Sequence, residues 1–332
     1  MSTVASFLAE DHYFGRNLDS EKTHNETVVI APNNYSFKFR QVDNIDSHYA
    51  IIGMATVVDD YPLFYEACNE KGLAMAELTY YEADYKELNE NTDNIAPFEL
   101  IPWILCQCET VKEALELIKK INLLNINFNE EIQLSPLHWM ISDKNESMVV
   151  ECEATGLKVY YNPARVLTNS PSFDKQYFNL NNYRHVSSKI PRNNFSENLE
   201  LDVYSRGMGS IGLPGDYSST SRFVKVAFTL QNVVIGSSEE ENVSQFFHIL
   251  GSVTQQRGCS EVAQGQFDYT IYTSCINTDK GIYYYKTYYN SQINAIGLYD
   301  HDLTDDELVI YPLNDYPQIN YQSSKKEEYM FN

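Results

Sequence analysis

Strand-like periodicity crowds both ends of this chain, with the helical periodicities grouped between, and that order limits the fold class. From Thr3 to about Thr79 the pattern favours strands, clearest at Glu26 to Ile30, Tyr49 to Val58 and Gly72 to Tyr80, each rich in β-branched or apolar residues. A short helix is expected between the last two, opened by Pro62 and stopped at Gly72 after Cys68-Asn69-Glu70-Lys71. Ala96 to Cys106 and Thr110 to Ile121 read as helices, the second with Thr110 and Glu113 as a capping box and Lys119-Lys120 complementing the C-terminal dipole. Leu137 to Asp143, Ser147 to Glu153 and Leu157 to Tyr161 suggest an antiparallel meander, followed by strand at Arg165 to Thr168. Ser221 to Val234 and Ser238 to Leu250 look like a helix pair, and Asp268 to Leu298 is dense in Tyr, Ile and Thr with a hairpin turn at Asp279-Lys280-Gly281. This grouping predicts an α+β fold with antiparallel sheet, not alternating βαβ units.

No Pro- or Gly-rich linker and no repeat divides the 332 residues, so a single domain over 1-332 is expected. The formal net charge of -22 argues against a nucleic-acid partner, because phosphate binding needs clustered Lys and Arg. Met1-Ser2-Thr3-Val4-Ala5-Ser6-Phe7 lacks the basic and apolar regions of a signal peptide, and no segment reaches the length of a membrane span. The six cysteines show no Cys-x-x-Cys spacing; reduced, mostly buried thiols in a cytoplasmic protein are expected.

Several motifs fail on context. Gly207-Met208-Gly209-Ser210-Ile211-Gly212 satisfies G-x-G-x-x-G by letter, but Pro214-Gly215 follows and no helix opens, so it reads as a loop. The seven histidines never fall at metal-ligand spacing, and no Gly-x-Ser-x-Gly elbow occurs. No metal and no cofactor is implied. What remains is the N-terminal end, where the nucleophilic side chain of Ser2 is followed by Arg16 and Asp19 in Phe14-Gly15-Arg16-Asn17-Leu18-Asp19.

Read together, that segment and Asp59-Asp60-Tyr61-Pro62, Asn69-Glu70-Lys71-Gly72-Leu73, Leu137-His138-Trp139-Met140-Ile141-Ser142-Asp143, Leu167-Thr168-Asn169-Ser170-Pro171, Gly212-Leu213-Pro214-Gly215-Asp216, Ser221-Arg222-Phe223 and Tyr272-Thr273-Ser274-Cys275 resemble, in order and over nearly the whole chain, the choloylglycine hydrolase family. That family comprises bile salt hydrolases and penicillin V acylases. The resemblance implies the N-terminal-nucleophile fold, a four-layer αββα sandwich. It implies a nucleophile at residue 2, activated by its own α-amine once Met1 is removed, since a free α-amine titrates near neutral pH.

The resemblance also implies that Arg16 favours the anionic nucleophile and that Asp19 orients the amine or the substrate amide. Asn169 would face the developing oxyanion, and Arg222 would be a second active-site arginine. Two positions depart from the family. Thr79, in Glu77-Leu78-Thr79-Tyr80, stands where its bile salt hydrolases carry asparagine in the oxyanion hole. Ser2 stands in place of cysteine and is read as a replacement that leaves this form weak or inactive, because an alcohol depends on its base far more than a thiol does.

The implied substrate is a glycine- or taurine-conjugated bile salt, with Leu18, Val58, Tyr65, Ile132 and Leu134 as its apolar wall. A penicillin V or other N-acyl amide acylase on the same scaffold, and a catalytically silent binding protein, are the alternatives. The segment from Arg206 to Ser221 resembles the family's assembly loop, which implies a homotetramer.

Overall fold

The computed structural model describes residues 1-322. Strands β1 (Ser2–Leu8), β2 (His12–Ser20), β3 (Thr27–Ala31), β4 (Ile51–Val58), β5 (Tyr61–Asn69) and β6 (Ala74–Thr79) come first. A parallel pair, β7 (Asp93–Ile95) and β8 (Ile121–Leu123), brackets helices α1 (Leu100–Leu105) and α2 (Val111–Ile118). Next come the meander β9 (Leu137–Ser142), β10 (Ser147–Glu153) and β11 (Gly156–Tyr161), then β12 (Val166–Leu167). Helices α3 (Phe173–Asn179), α4 (Ser219–Asn232) and α5 (Glu239–Gly251) follow. The chain continues through a small hairpin, β13 (Glu261–Ala263) and β14 (Gln266–Phe267), to β15 (Tyr269–Asn277), β16 (Ile282–Thr287), β17 (Asn294–Gly297) and β18 (Val309–Pro312).

Two antiparallel sheets face each other, in the orders β12-β1-β2-β15-β16-β17 and β11-β10-β9-β6-β5-β4-β3-β18. Helices α4 and α5 cover the first sheet, and α1 packs on β5 and β6 of the second. This is the four-layer αββα arrangement. Its logic is burial on both faces: β1 is buried from Ser2 to Phe7 and β15 along its whole length, so both read as nearly continuous apolar runs rather than clean alternations. One apolar cluster fills the space between the sheets and beneath α4 and α5, and a second lies between the other sheet and α1 and α2.

The meander falls where the sequence places it, and the helix pair is matched to within two residues at each end. Ser238 Oγ caps α5 by accepting from Glu241 N at 3.3 Å, and Thr110 Oγ1 caps α2 by accepting from Glu113 N at 3.2 Å. The helix expected from Ala96 to Cys106 is a 3₁₀ turn over Pro97–Glu99 followed by one short helix. The helix expected to reach Ile121 stops at Ile118, because Ile121 is drawn into the pair with β7.

One expectation fails outright: the segment opened by Pro62 is not a helix but strand β5. Asp59 and Asp60 both adopt positive φ, 50° and 61°, the conformation of a two-residue hairpin turn whose twist matches the strands it joins. Pro62 sits second in the strand, opposite Val57, where a missing N–H is tolerated. Gly72, at φ 87°, closes the next hairpin instead of ending a helix.

The Asn69-Glu70-Lys71-Gly72 motif has a structural role. Asn69 is fully buried; its Oδ1 accepts from Lys71 N and Leu73 N, each at 3.1 Å, and its Nδ2 donates to Leu105 O and Cys108 O, each at 2.8 Å. One side chain thus shapes the β5-β6 turn and ties it to the end of α1. Replacing Asn69 by Ala strands these buried groups, and Asn69→Ala is expected to lower unfolding stability by about 2–4 kcal/mol, read as a lower urea midpoint at unchanged slope.

Candidate active site

Strand pairing builds the site from the N-terminus outward. In the β1-β2 register Ser2 faces Leu18 and Val4 faces Arg16, so these side chains share the face turned toward the second sheet. Thr3, Asn17 and Asp19 take the opposite face, toward the helices. On the other side of β2, Gly15 permits the close approach of β15, since a Cβ there would lie 2.2 Å from Ser274 O.

Two buried arginines converge on Ser2 from these two sides. Arg16, 2% exposed, donates from Nη2 to Ser2 Oγ at 2.6 Å and from Nη1 to Tyr65 O at 3.0 Å and Glu77 O at 2.7 Å. Arg222, 1% exposed, donates from Nη1 to Thr3 Oγ1 at 2.6 Å and to Ser2 O, from Nη2 to Asn169 Oδ1 at 2.8 Å, and from Nε to Tyr217 O at 3.0 Å. Asn169 Oδ1 also accepts from Ser2 N at 2.8 Å, and Asn169 Nδ2 donates to Thr79 O at 3.0 Å. Ser2, Arg16, Thr79, Asn169 and Arg222 are therefore one hydrogen-bonded group. Asn169 meets Ser2 through its oxygen, and each arginine fixes a different part of residue 2.

The loop that carries Asn169 is braced from below. Gln176 Nε2 donates to Asn169 O at 2.6 Å, His138 Nε2 donates to Thr168 O at 2.7 Å, and Tyr80 stacks on the His138 ring with centroids 4.7 Å apart. The histidine in Leu137-His138-Trp139 thus supports the asparagine loop.

Met1 precedes Ser2, so the nitrogen of residue 2 is a peptide N–H. The Met1 amine donates to Asp19 O at 2.7 Å and lies 3.3 Å from Asp268 Oδ2, while Met1 O accepts from Asp19 N at 2.9 Å. Asp19 Oδ1 accepts from Thr270 Oγ1 at 2.6 Å, and Asp19 Oδ2 is buried with no hydrogen-bond partner among the described residues. Burial pushes the Asp19 carboxyl above the usual range, opposed by Arg222, the N-terminal amine and Thr270.

The group opens onto a cavity of about 330 Å³ whose walls include Leu18, Leu63, Tyr65, Phe98, Ile132 and Leu134, with Ser2, Arg16, Asp19, Glu77 and Thr79 at its base. Of the expected wall, Leu18, Tyr65, Ile132 and Leu134 line it. Val58 does not; it ends β4 opposite Tyr61 at the hairpin tip, and Leu63 of the neighbouring strand lines the wall instead. The rim is stitched by Asn127 Oδ1 accepting from Leu134 N at 2.8 Å and Asn129 Oδ1 accepting from Ile132 N at 2.7 Å. Among the described residues, no cluster of His, Cys, Asp and Glu could hold a metal ion.

The sequence profile of the linear amide C-N hydrolases, choloylglycine hydrolase family, matches residues 5–311. The chain belongs to the choloylglycine hydrolase family. It is 54% identical over 314 residues, 94% of this chain and 97% of the relative, to the bile salt hydrolase/transferase of Lactiplantibacillus plantarum. It is 38% identical to the bile salt hydrolase/transferase of Clostridium perfringens, over 93% of this chain and 95% of that protein. A crystal structure of a mutant conjugated bile acid hydrolase from Clostridium perfringens superposes with a TM-score of 0.89 at 36% identity, covering 97% of this chain and 100% of that one. Penicillin V acylase from Agrobacterium tumefaciens shares the fold, with a TM-score of 0.77 at 17% identity, 95% of this chain and 94% of that one.

The sequence reading overlooks Glu66 and Glu77 beside Arg16, Thr3 beside Arg222 and Asp268 beside the Met1 amine of this family member. Glu66 carries a visible signal, an acid inside the apolar run Leu63-Phe64-Tyr65-Glu66-Ala67-Cys68. Burial raises the Glu77 carboxyl from 4.5 to about 8, opposed by Arg16 and reinforced by Glu66. Between those two values the folded state holds a proton that the unfolded state has lost, so this group's contribution to stability falls as pH rises through that window. Glu77→Gln is therefore expected to gain stability relative to the parent between pH 5 and about pH 8, measured as the difference in urea midpoint at the two ends.

Proposed function

We propose that this chain hydrolyses the amide bond of glycine- or taurine-conjugated bile salts, with residue 2 as nucleophile. The observation that carries this reading is the convergence of Arg16, Asn169 and Arg222 on Ser2 at the base of an apolar cavity. Two bile salt hydrolase/transferases that match nearly end to end add weight. The steroid would lie against Leu18, Leu63, Tyr65, Ile132 and Leu134, leaving its side-chain amide at Ser2.

Chemistry begins once Met1 is removed, because an amide nitrogen has no basic lone pair. The freed amine of residue 2 takes the Oγ proton as Oγ attacks the carbonyl carbon, giving a tetrahedral oxyanion. The second Asn169 N–H and the Thr79 backbone N–H are the proposed donors to that oxyanion. Collapse expels glycine or taurine, whose nitrogen receives the proton from the α-amine. A water molecule, deprotonated by the same amine, then cleaves the acyl ester and restores Ser2. Arg16 stabilises the nucleophile's negative charge, Asp19 offers its unpartnered Oδ2 to the amine, and Arg222 fixes the carbonyl of residue 2.

We also propose a homotetramer assembled through the segment from Arg206 to Ser221. Exposed apolar side chains nearby, Phe195, Leu201, Tyr204 and Ile211 among them, need cover that a second copy would supply. Scattering of a tetramer-sized particle at micromolar concentration is the expected outcome.

The deciding experiment compares the Met1-processed parent and Ser2→Cys proteins on glycocholate, taurocholate and penicillin V. Ser2→Cys is expected to raise kcat on both bile salts by at least about tenfold, since a thiol needs far less help from its base. Preference for penicillin V would assign the acylase activity instead, and no turnover of any of the three would point to a binding protein. In the Ser2→Cys background, Asn169→Ala is expected to cut kcat by about 10²–10³-fold with little change in KM.

A further inference from the structure

Arg16 is buried, yet the group that balances its charge is not part of the constellation around Ser2. Glu66, on β5 of the second sheet, is fully buried, and its Oε2 lies 3.8 Å from Arg16 Nε. Among the described residues, that Nε has no hydrogen-bond partner. The glutamate reaches across the space between the sheets and is gripped by two phenols of the first sheet. Tyr272 OH donates to Oε2 at 2.7 Å, and Tyr283 OH donates to Oε1. The same strand β15 supplies Ser274, whose Oγ accepts from Arg16 N at 3.1 Å.

The donors around Glu66 favour its charged form. Each carboxylate oxygen receives a phenol proton and the nearest charge is a guanidinium, so the surroundings are built for an anion. Burial pushes the Glu66 carboxyl above its ordinary value, and Arg16 with the two tyrosines and Ser274 opposes that rise. Arg16 is in any case anchored without Glu66, through Tyr65 O, Glu77 O and Ser2 Oγ. Removing the carboxylate charge therefore leaves the guanidinium in place and unbalanced.

We propose that Glu66 is a positioning residue that acts through Arg16: as a buried carboxylate clamped by Tyr272 and Tyr283, it sets how much positive potential Arg16 delivers to the nucleophile and amine of residue 2. The inference rests on residue 2 being the nucleophile. It requires nothing of the substrate's identity.

The test uses full-length, Met1-processed Ser2→Cys protein with and without Glu66→Gln. The rate of thiol alkylation by iodoacetamide is followed against pH, alongside kcat/KM on taurocholate. Loss of the negative charge favours the thiolate and the neutral amine, so both the alkylation midpoint and the acid limb of kcat/KM should move to lower pH by about half a unit or more. A purely structural role would lower the folded fraction without moving either midpoint.

Should Glu66→Gln fail to fold, Tyr272→Phe serves. Loss of one phenol donor favours the neutral carboxyl, so the shift should keep its direction and be smaller. Midpoints that stay put, or that rise, in the folded variants overturn the proposal. Alkylation needs no substrate, so a parent that is alkylated with the expected pH dependence but leaves taurocholate intact counts against the bile salt reading alone.

Discussion

Two guanidinium groups buried beside one residue are the constraint on which the rest of this structure depends. A cation taken out of water must regain its solvation from the protein, and here the replacement is mostly backbone carbonyls. Arg16 takes those of Tyr65 and Glu77, and Arg222 takes those of Ser2 and Tyr217. Neither set exists unless the two sheets and α4 are assembled. The site is thus a product of the whole fold, and the fold is in turn locked by the arginines that the site requires.

The layered architecture explains how both arginines reach the same residue. Alternation along β1 sends Ser2 toward the second sheet and Thr3 toward the helices, so Arg16 meets Ser2 Oγ from one side and Arg222, from α4, meets the backbone from the other. Carboxylates follow the same division. Glu66 balances Arg16 between the sheets, while Asp19 and Asp268 are the acids that raise the affinity of Arg222 for its proton against the effect of burial.

Much of this was legible in the sequence, but unevenly. The meander from Leu137 to Glu153, the caps at Thr110 and Ser238 and the two long helices are local patterns, and they appear where the periodicity places them. The segment after Pro62 misled because a proline and a following glycine punctuate a hairpin as well as a helix, and the paired positive φ values of Asp59 and Asp60 leave little mark on composition. Ser2, Arg16, Asp19, Asn169 and Arg222 were reached through likeness to a family and not through spacing. Val58 shows the limit of that route, since a residue at a matching position need not face the matching cavity.

By itself the sequence determined where strands and helices form, because backbone sterics and the burial period are written into neighbouring residues. It also determined that a small hydroxyl side chain occupies position 2. Only the tertiary structure decided which charges surround that side chain: Ser2 touches Asn169 across 167 positions of chain and Arg222 across 220. No local pattern encodes such meetings. They follow from which faces two twisted sheets and a helix layer bury against one another, and from the rule that a charge buried there must find its partners among whatever those faces present.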